Sequence, residues 1–211
     1  VNICFSMKLG TFILFLNKLQ LIYTMMKCSV FIATSADGFI AKNDGSVDWL
    51  HTAGNPKAEM GSNADMGLND YMASVDCMIM GRKCMDMISS MNLTPDQWFY
   101  GDIKIIVLSN TVNEAPDNLK GKVEMYSGDL KQLISNLENQ GFKSAYIDGG
   151  TTIQNFLNLK LINEIIITKA PVILGEGIPL FGKTSSGIKL TEAEAVVFPN
   201  EFIQLKYKVN Y

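Results

Sequence analysis

The chain has a single histidine among 211 residues, His51, and that scarcity removes several chemistries at once. A histidine-bearing zinc site or a Ser-His-Asp triad would rest on that one imidazole, which follows Trp49-Leu50 in a segment read as a loop. Four cysteines, Cys4, Cys28, Cys77 and Cys84, form no Cys-x-x-Cys pair and no framework spacing. Neither a disulfide scaffold nor a metal site is expected, and reduced thiols in a cytoplasmic protein are. Basic charge is also short. Eighteen Lys and Arg against 21 Asp and Glu give a net charge of -3, which leaves no stripe to neutralise the phosphates of a nucleic acid. Long hydrophobic runs are missing too: Leu9 to Leu16 and Leu19 to Met26 are separated by Asn17 and Lys18 and interrupted by Gln20, too short to span a membrane. A signal peptide fits poorly, because no small-residue cleavage site precedes Cys28. Convincing patterning starts at Met26-Lys27, so residues 1–25 read as an extension upstream of a native start at Met25 or Met26. Residues 26–211 read as one domain, with 47% apolar content enough for a buried core.

What is present from Cys28 onward is an alternation of strands and helices. Cys28 to Ser35 predicts a strand ended by Asp37-Gly38, and Phe39 to Lys42 runs into a turn at Asn43-Asp44-Gly45, a glycine-rich loop expected to move. Asn55-Pro56 reads as a helix start, with a restart at Ser62-Asn63 or bends at Gly61 and Gly67 before Val75. Strands are expected at Cys77 to Met80, Ile103 to Leu108, Val123 to Tyr126, Ala145 to Ile147 and Ile162 to Ile167. Helices are expected at Lys83 to Met91, Asp129 to Asn139 and Ile153 to Leu157. The tail differs. Glu194 to Phe198 and Phe202 to Val209 alternate like an antiparallel hairpin around Pro199-Asn200-Glu201.

Two of these strands end abruptly in glycine and turn into helices: Val75 to Met80 into Gly81-Arg82-Lys83, and Ala145 to Ile147 into Asp148-Gly149-Gly150-Thr151-Thr152. Glycine lets the backbone approach a ligand, and the next helix aims free N–H groups and its positive dipole end at an anion. Such turns are common in α/β proteins, and neither has Gly-x-Gly-x-x-Gly or P-loop spacing. The sharper signal is Arg82 with Lys83, since two cations at a helix start oppose the dipole unless an anion lies between them. Two such junctions suggest a dinucleotide.

The ordered set VFIATSADGFIA, VDWL, CMIMGRKCMDMI, IIVLSNT, AYIDGGTTIQNFL and IIITKAPVILGEGIPLFG resembles the dihydrofolate reductase superfamily. It is most similar to the stand-alone bacterial branch, which is related to the RibD C-terminal reductase domain of bifunctional riboflavin-synthesis enzymes, and it covers Met26 to about Val209. The resemblance implies a mixed, mostly parallel eight-stranded sheet flanked by helices, with a C-terminal antiparallel hairpin, binding NADPH along the strand ends. It implies that Gly81, Arg82, Lys83 and Cys84 clasp the pyrophosphate and the adenosine 2′-phosphate. Ser109, Asn110 and Thr111 would stand at the adenosine side, with Ile147, Gly149, Gly150, Thr151 and Thr152 under the pyrophosphate. Ala33, Phe39 and Ile40 would frame the nicotinamide. Two departures remove phosphate contacts: Cys84 stands where a threonine is usual, and Thr151 where classical enzymes often carry arginine. Preference for NADPH then rests on Arg82, Lys83 and Ser109.

Pterin-like rings present an amidine edge that a carboxylate can hold through two charge-assisted hydrogen bonds. With Ala64, Leu68, Tyr71, Met72 and Val75 as an apolar helical stripe, Asp65 falls at the stripe's edge, and Glu59 and Asp70 fall on the far side. Asp65 is therefore the candidate anchor and proton relay, in a pocket expected to raise its pKa. An acid in a first helical turn is equally favoured by the dipole alone. Trp49 matches the tryptophan by which the family walls its pocket and orders a water, and as a core aromatic it would look the same. Asp48 stands where proline is usual, and Gly175-Glu176-Gly177 resembles the branch's signature. The leading reading is an NADPH-dependent reductase of a pterin or related pyrimidine-type ring, with a small heterocycle as partner and a homodimer compatible with it. Behind it stand the reduction of a ribosylaminopyrimidine phosphate in riboflavin synthesis, for which the usual Asp-Asp-Pro stretch after Gly81 is missing, and a nucleotide-binding module without turnover.

Overall fold

β-branched residues crowd the segments that the chain buries between two helical layers, and these become parallel strands. A computed structural model describes residues 25–184 and 187–211, so the extension up to Tyr23-Thr24 lies outside the described residues. Among them, β1 (Lys27–Thr34), β3 (Cys77–Gly81), β4 (Lys104–Leu108), β5 (Val123–Tyr126), β6 (Ser144–Asp148), β7 (Ile162–Lys169), β9 (Lys189–Val197) and β10 (Ile203–Asn210) form one sheet. Its order is β5-β4-β3-β6-β1-β7-β10-β9, parallel through β7 and antiparallel beyond it. A small second sheet pairs β2 (Phe39–Ala41) with β8 (Ile178–Pro179). The expected mixed, mostly parallel sheet and terminal hairpin are therefore present. The hairpin is longer than the alternation indicated, because Glu192, at a positive φ of 52°, lets β9 continue through a bulge back to Lys189.

Alternate residues of the strands feed two cores. On one side Ile79, Ile147, Val30 and Ile165 meet Leu133 and Leu137 of α4 (Leu130–Asn139) and Ile153 and Phe156 of α5 (Gly150–Asn158). On the other, Met78, Met80, Val107 and Tyr146 meet Tyr71 of α2 (Leu68–Ala73) and Met85 and Ile88 of α3 (Arg82–Ser90). A third cluster joins Trp49, from the single-turn α1 (Trp49–Thr52), to Ala170, Phe198 and Phe202. Helix α4 is capped at its N-terminus, where the Asp129 carboxylate accepts the Gln132 N–H at 2.9 Å.

One expectation is corrected. No helix starts at Asn55-Pro56; residues 55–60 are irregular, a 3₁₀ turn occupies Gly61–Asn63, and α2 spans only six residues. The cause is local, since Gly61, Met66 and Gly67 all take positive φ, at 55°, 51° and 83°, and break any longer helix. The Asp37-Gly38 turn after β1 is tied to the Leu174-Gly175 segment through one carboxylate. Asp37 accepts hydrogen bonds from Ser35 Oγ at 2.6 Å, Gly175 N at 2.8 Å and Leu174 N at 3.2 Å. These donors, Ser35 foremost, lower its carboxyl from the ordinary 3.8 to about 2.

Candidate active site

The carboxyl ends of the parallel strands share one edge, and the chain leaves β3 toward β4 on one side but leaves β6 through α5 to reach β7 on the other. Neighbouring strands whose connections diverge open a crevice between them, and this one lies between the two glycine junctions. Met80 pairs with Asp148, so α3 and α5 start side by side. A Cβ on Gly149, whose φ is 90°, would lie 2.7 Å from Cys84 Sγ, and one on Gly150 would lie 2.9 Å from Ile40 Cδ1. A Cβ on Gly81 would meet Thr152 Oγ1 at 3.1 Å. Gly81, Cys84, Gly149, Gly150, Thr152 and Ile40 are thus one cluster, with β2 lying over the start of α5. Thr152 is buried inside it and Thr151 is exposed above it.

Arg82 and Lys83 are exposed at the start of α3, and Arg82 Nη1 pairs with Asp86 Oδ2 at 3.1 Å, one turn along. The Ile147 side chain lies in the main core, leaving only its backbone near the edge. Phe39 packs against Gly177 in the small sheet, away from the cavities described below.

Beneath the glycine pair stands a carboxylate that the sequence reading passed over. Asp148 ends β6 partly buried beside Cys84, and desolvation raises its pKa against the opposing pull of the Gly149 N–H and the Cys84 thiol; the Tyr146 hydroxyl donates instead to Phe31 O at 2.8 Å. Cys84 is pushed up to about 12 by burial first and by Asp148 second, so its thiol stays protonated and can donate to that carboxyl.

Two recesses flank the cluster. At the ends of β4 and β5 a cavity of about 210 Å³ is lined by Ser109, Val112, Asn113, Met125, Tyr126 and Ser127. Ser109 N donates to Tyr126 O at 3.0 Å, and its Oγ accepts from Thr111 N and Val112 N, leaving the hydroxyl proton for another acceptor. Asn110 and Thr111 are exposed and do not line it.

At the ends of β1 and β7 a cavity of about 330 Å³ is lined on the sheet side by Phe31, Ala33 and Thr168 and walled by Phe202, with His51, Asn55, Asp65 and Asn200 as further polar groups. Gln204 Nε2 bridges Thr168 Oγ1 at 2.9 Å and Met66 O at 3.0 Å, tying the Asp65-Met66 turn to the sheet. Trp49 lies behind this wall against Phe202 rather than in it, and its Nε1 is buried with no hydrogen-bond partner among the described residues.

Asp65 sits on the cavity rim, three residues before α2 rather than in its first turn. Its Oδ2 accepts Asn69 N at 2.9 Å and its Oδ1 accepts Gly67 N at 3.1 Å. Those two backbone donors lower its pKa, Asn69 foremost. The expected rise by desolvation is therefore overturned: the carboxylate is half-exposed, and hydrogen bonding to the charged form wins.

From the β4/β5 recess to the β1/β7 recess the edge crosses four strand spacings, about 19 Å at ~4.8 Å each. His51, Asn55, Thr168, Asn200 and Phe202 escaped the sequence reading. Thr168 follows from the alternation of β7, whereas Asn200 and Phe202 arrive from the hairpin turn, brought in where Asn55 N donates to Asn200 O at 3.1 Å.

The sheet order, the terminal hairpin and the glycine crevice define a protein of the dihydrofolate reductase-like class. The chain belongs to the RibD C-terminal domain family, whose model matches residues 27–203. The uncharacterized protein YwjB of Bacillus subtilis (strain 168) is 32% identical over 183 residues, 86% of this chain and 97% of that one. The crystal structure of a candidate riboflavin biosynthesis protein from Shewanella sp. PV-4 superposes with a TM-score of 0.79 at 40% identity, covering 88% of this chain and all of that one. Dihydrofolate reductase from Enterococcus faecalis shares the fold at 13% identity, with a TM-score of 0.58 over 90% of this chain and 99% of its own. Among the described residues no helix is long and apolar enough to cross a membrane, and no cluster of three potential metal ligands occurs.

Proposed function

We propose that the protein is an NADPH-dependent reductase of a flat, unphosphorylated pyrimidine- or pterin-type ring. The observation that carries this reading is the sequence of recesses along one sheet edge: the Ser109 cavity, the paired helix starts with their glycines, and the Asp65 cavity. An adenosine would occupy the first, with Arg82, Lys83 and the Ser109 hydroxyl toward its 2′-phosphate. The pyrophosphate would lie on the N–H groups starting α3 and α5, where Gly149 and Gly150 leave room for backbone alone. NADPH supplies the hydride when bound.

The ring would lie between Phe31 and Phe202, with its amidine edge on Asp65. Because Asp65 is ionised throughout the neutral range, it anchors the ring and does not supply the proton, which is drawn from water at the cavity mouth. Among the described residues, no Lys or Arg lines this cavity, and Asp65 would repel a substrate phosphate. This disfavours the ribosylaminopyrimidine phosphate, the reading that the Shewanella relative's description favours.

The test is NADPH oxidation followed by absorbance against dihydrofolate, dihydrobiopterin and the riboflavin precursor, the last with and without its phosphate. Turnover of an unphosphorylated ring, lost in Asp65→Asn with NADPH affinity intact, is expected. Turnover of the phosphorylated precursor alone would move the assignment to riboflavin synthesis, and NADPH binding without turnover of any ring would leave a nucleotide-binding module.

A further inference from the structure

β1 and β6 are neighbours in the sheet, but their ladder is short. It pairs Lys27 with Ser144, Cys28 with Ala145 and Ser29 with Tyr146, and stops there. Past that point each strand keeps only its outer neighbour: Val30 to Thr34 pair with Ile165 to Lys169 of β7, and Ile147 and Asp148 pair with Ile79 and Met80 of β3. The divergence follows a bulge, where the register skips Asn163 between Cys28 and Ser29 and the Asn163 amide oxygen accepts the Cys28 N–H at 2.8 Å. The sheet is therefore split at its carboxyl edge. That split divides the candidate site, because the Ser109 recess, Gly81 and Gly149 sit on the β5-β4-β3-β6 half, whereas Phe31, Ala33 and Thr168 of the ring cavity sit on the β1-β7-β10-β9 half.

We propose that Tyr146 is a positioning residue that holds these two halves at the separation hydride transfer needs, an inference that rests on the reductase reading above. Among the described residues, one hydrogen bond joins the two strands beyond the end of their ladder: the Tyr146 hydroxyl, carried on β6, donates to the Phe31 carbonyl on β1 at 2.8 Å. One phenol thus ties the strand that ends in the Gly149-Gly150 junction to the residue that floors the ring cavity. Burial raises the Tyr146 hydroxyl well above its ordinary pKa, so the donor keeps its proton. Its aim is set by packing, since the Tyr71 ring meets the Tyr146 ring edge-on at 5.1 Å and lies tilted over Phe31 at 4.8 Å. The Tyr71 hydroxyl is engaged elsewhere, with Ser29 Oγ at 2.9 Å. A cofactor gripped by one half can react with a ring gripped by the other only when the reacting atoms come within about 3–3.5 Å, and an error of about 1 Å costs on the order of 100-fold in rate. The width of the split therefore sets the reaction geometry.

The test compares Tyr146→Phe with Tyr71→Phe. Each variant removes one buried hydroxyl and keeps the ring, so both should lower Tm by a similar amount, about 2–4 °C, but only Tyr146→Phe cuts the bond across the split. Single-turnover hydride transfer is followed by NADPH absorbance with whichever of dihydrofolate, dihydrobiopterin and the riboflavin precursor the wild type reduces. Tyr146→Phe should slow that step by about 10- to 100-fold at unchanged NADPH affinity, and Tyr71→Phe should leave it within about twofold. Hydrogen–deuterium exchange without substrate reads the same strut, and amides of residues 30–34 should exchange faster in Tyr146→Phe alone. Equal slowing in both variants, or a wild-type rate in Tyr146→Phe, would overturn the proposal. A wild type that reduces no ring would sink the reductase reading instead, and the strut is then decided by exchange: unchanged protection in Tyr146→Phe would overturn it as well.

Discussion

Replacing Gly149 by alanine separates two costs that meet at the crevice. The first is conformational: at a φ of 90° an L side chain is strained by about 1–3 kcal/mol. The second is steric, because the new methyl would lie 2.7 Å from Cys84 Sγ, well inside contact distance, and overpacking of this kind costs about 1–3 kcal/mol. Together these amount to about 2–6 kcal/mol, or a fall in Tm of roughly 5–20 °C for a domain this size. Differential scanning calorimetry of the wild type, Gly149→Ala, Cys84→Ala and the double variant gives a complete cycle. Removing the sulfur should return the steric part and leave the conformational part, so the double variant should stay less stable than Cys84→Ala by about 1–3 kcal/mol. Full recovery in the double variant would refute the assigned backbone conformation. No loss in Gly149→Ala would refute the packing of Cys84 beneath the turn as well.

Arg82→Ala should reduce the preference for NADPH over NADH by about tenfold or more while leaving NADH affinity nearly unchanged, read by fluorescence titration; equal wild-type affinities would remove the 2′-phosphate assignment. Asp37 has a depressed carboxyl in the folded chain, so its contribution to stability is complete above about pH 4 and lost as pH falls toward 2. Urea midpoints measured between those values should therefore decline more steeply for the wild type than for Asp37→Asn, and parallel slopes would mean that the loop is not held through this carboxylate. Gln204→Leu leaves Thr168 Oγ1 and Met66 O without their shared donor and should cost about 1–3 kcal/mol in denaturant unfolding, with a raised KM for the ring; an unchanged midpoint would show that the bridge is not made.

The strand-glycine-helix junctions at Gly81 and Gly149 were legible because each rests on local rules: an apolar run long enough for a buried strand, glycine where the backbone must turn, and the start of an amphipathic helix. The sheet class followed from the same alternation, and the hairpin from its period of two. The stretch from Asn55 to Val75 was misread as mainly helical, because apolar spacing at Ala64, Leu68 and Tyr71 resembles a helix whether or not the backbone between them turns left-handed at Met66 and Gly67.

The sequence by itself determined the two junctions, the cation pair at Arg82-Lys83 and the acid at Asp65, since these depend on neighbours within a few positions. Tertiary structure alone decided what those residues face. It set β3 beside β6 so that the junctions share a crevice, and it placed the Asp148 carboxyl beside Cys84. It also carried Asn200 and Phe202 across the chain to the ring cavity. The charge state of Asp65 belongs to the same category. A carboxylate's pKa follows the balance between burial and donors to its charged form, and here the donors Gly67 and Asn69 come from a left-handed turn that no periodicity in the sequence announces.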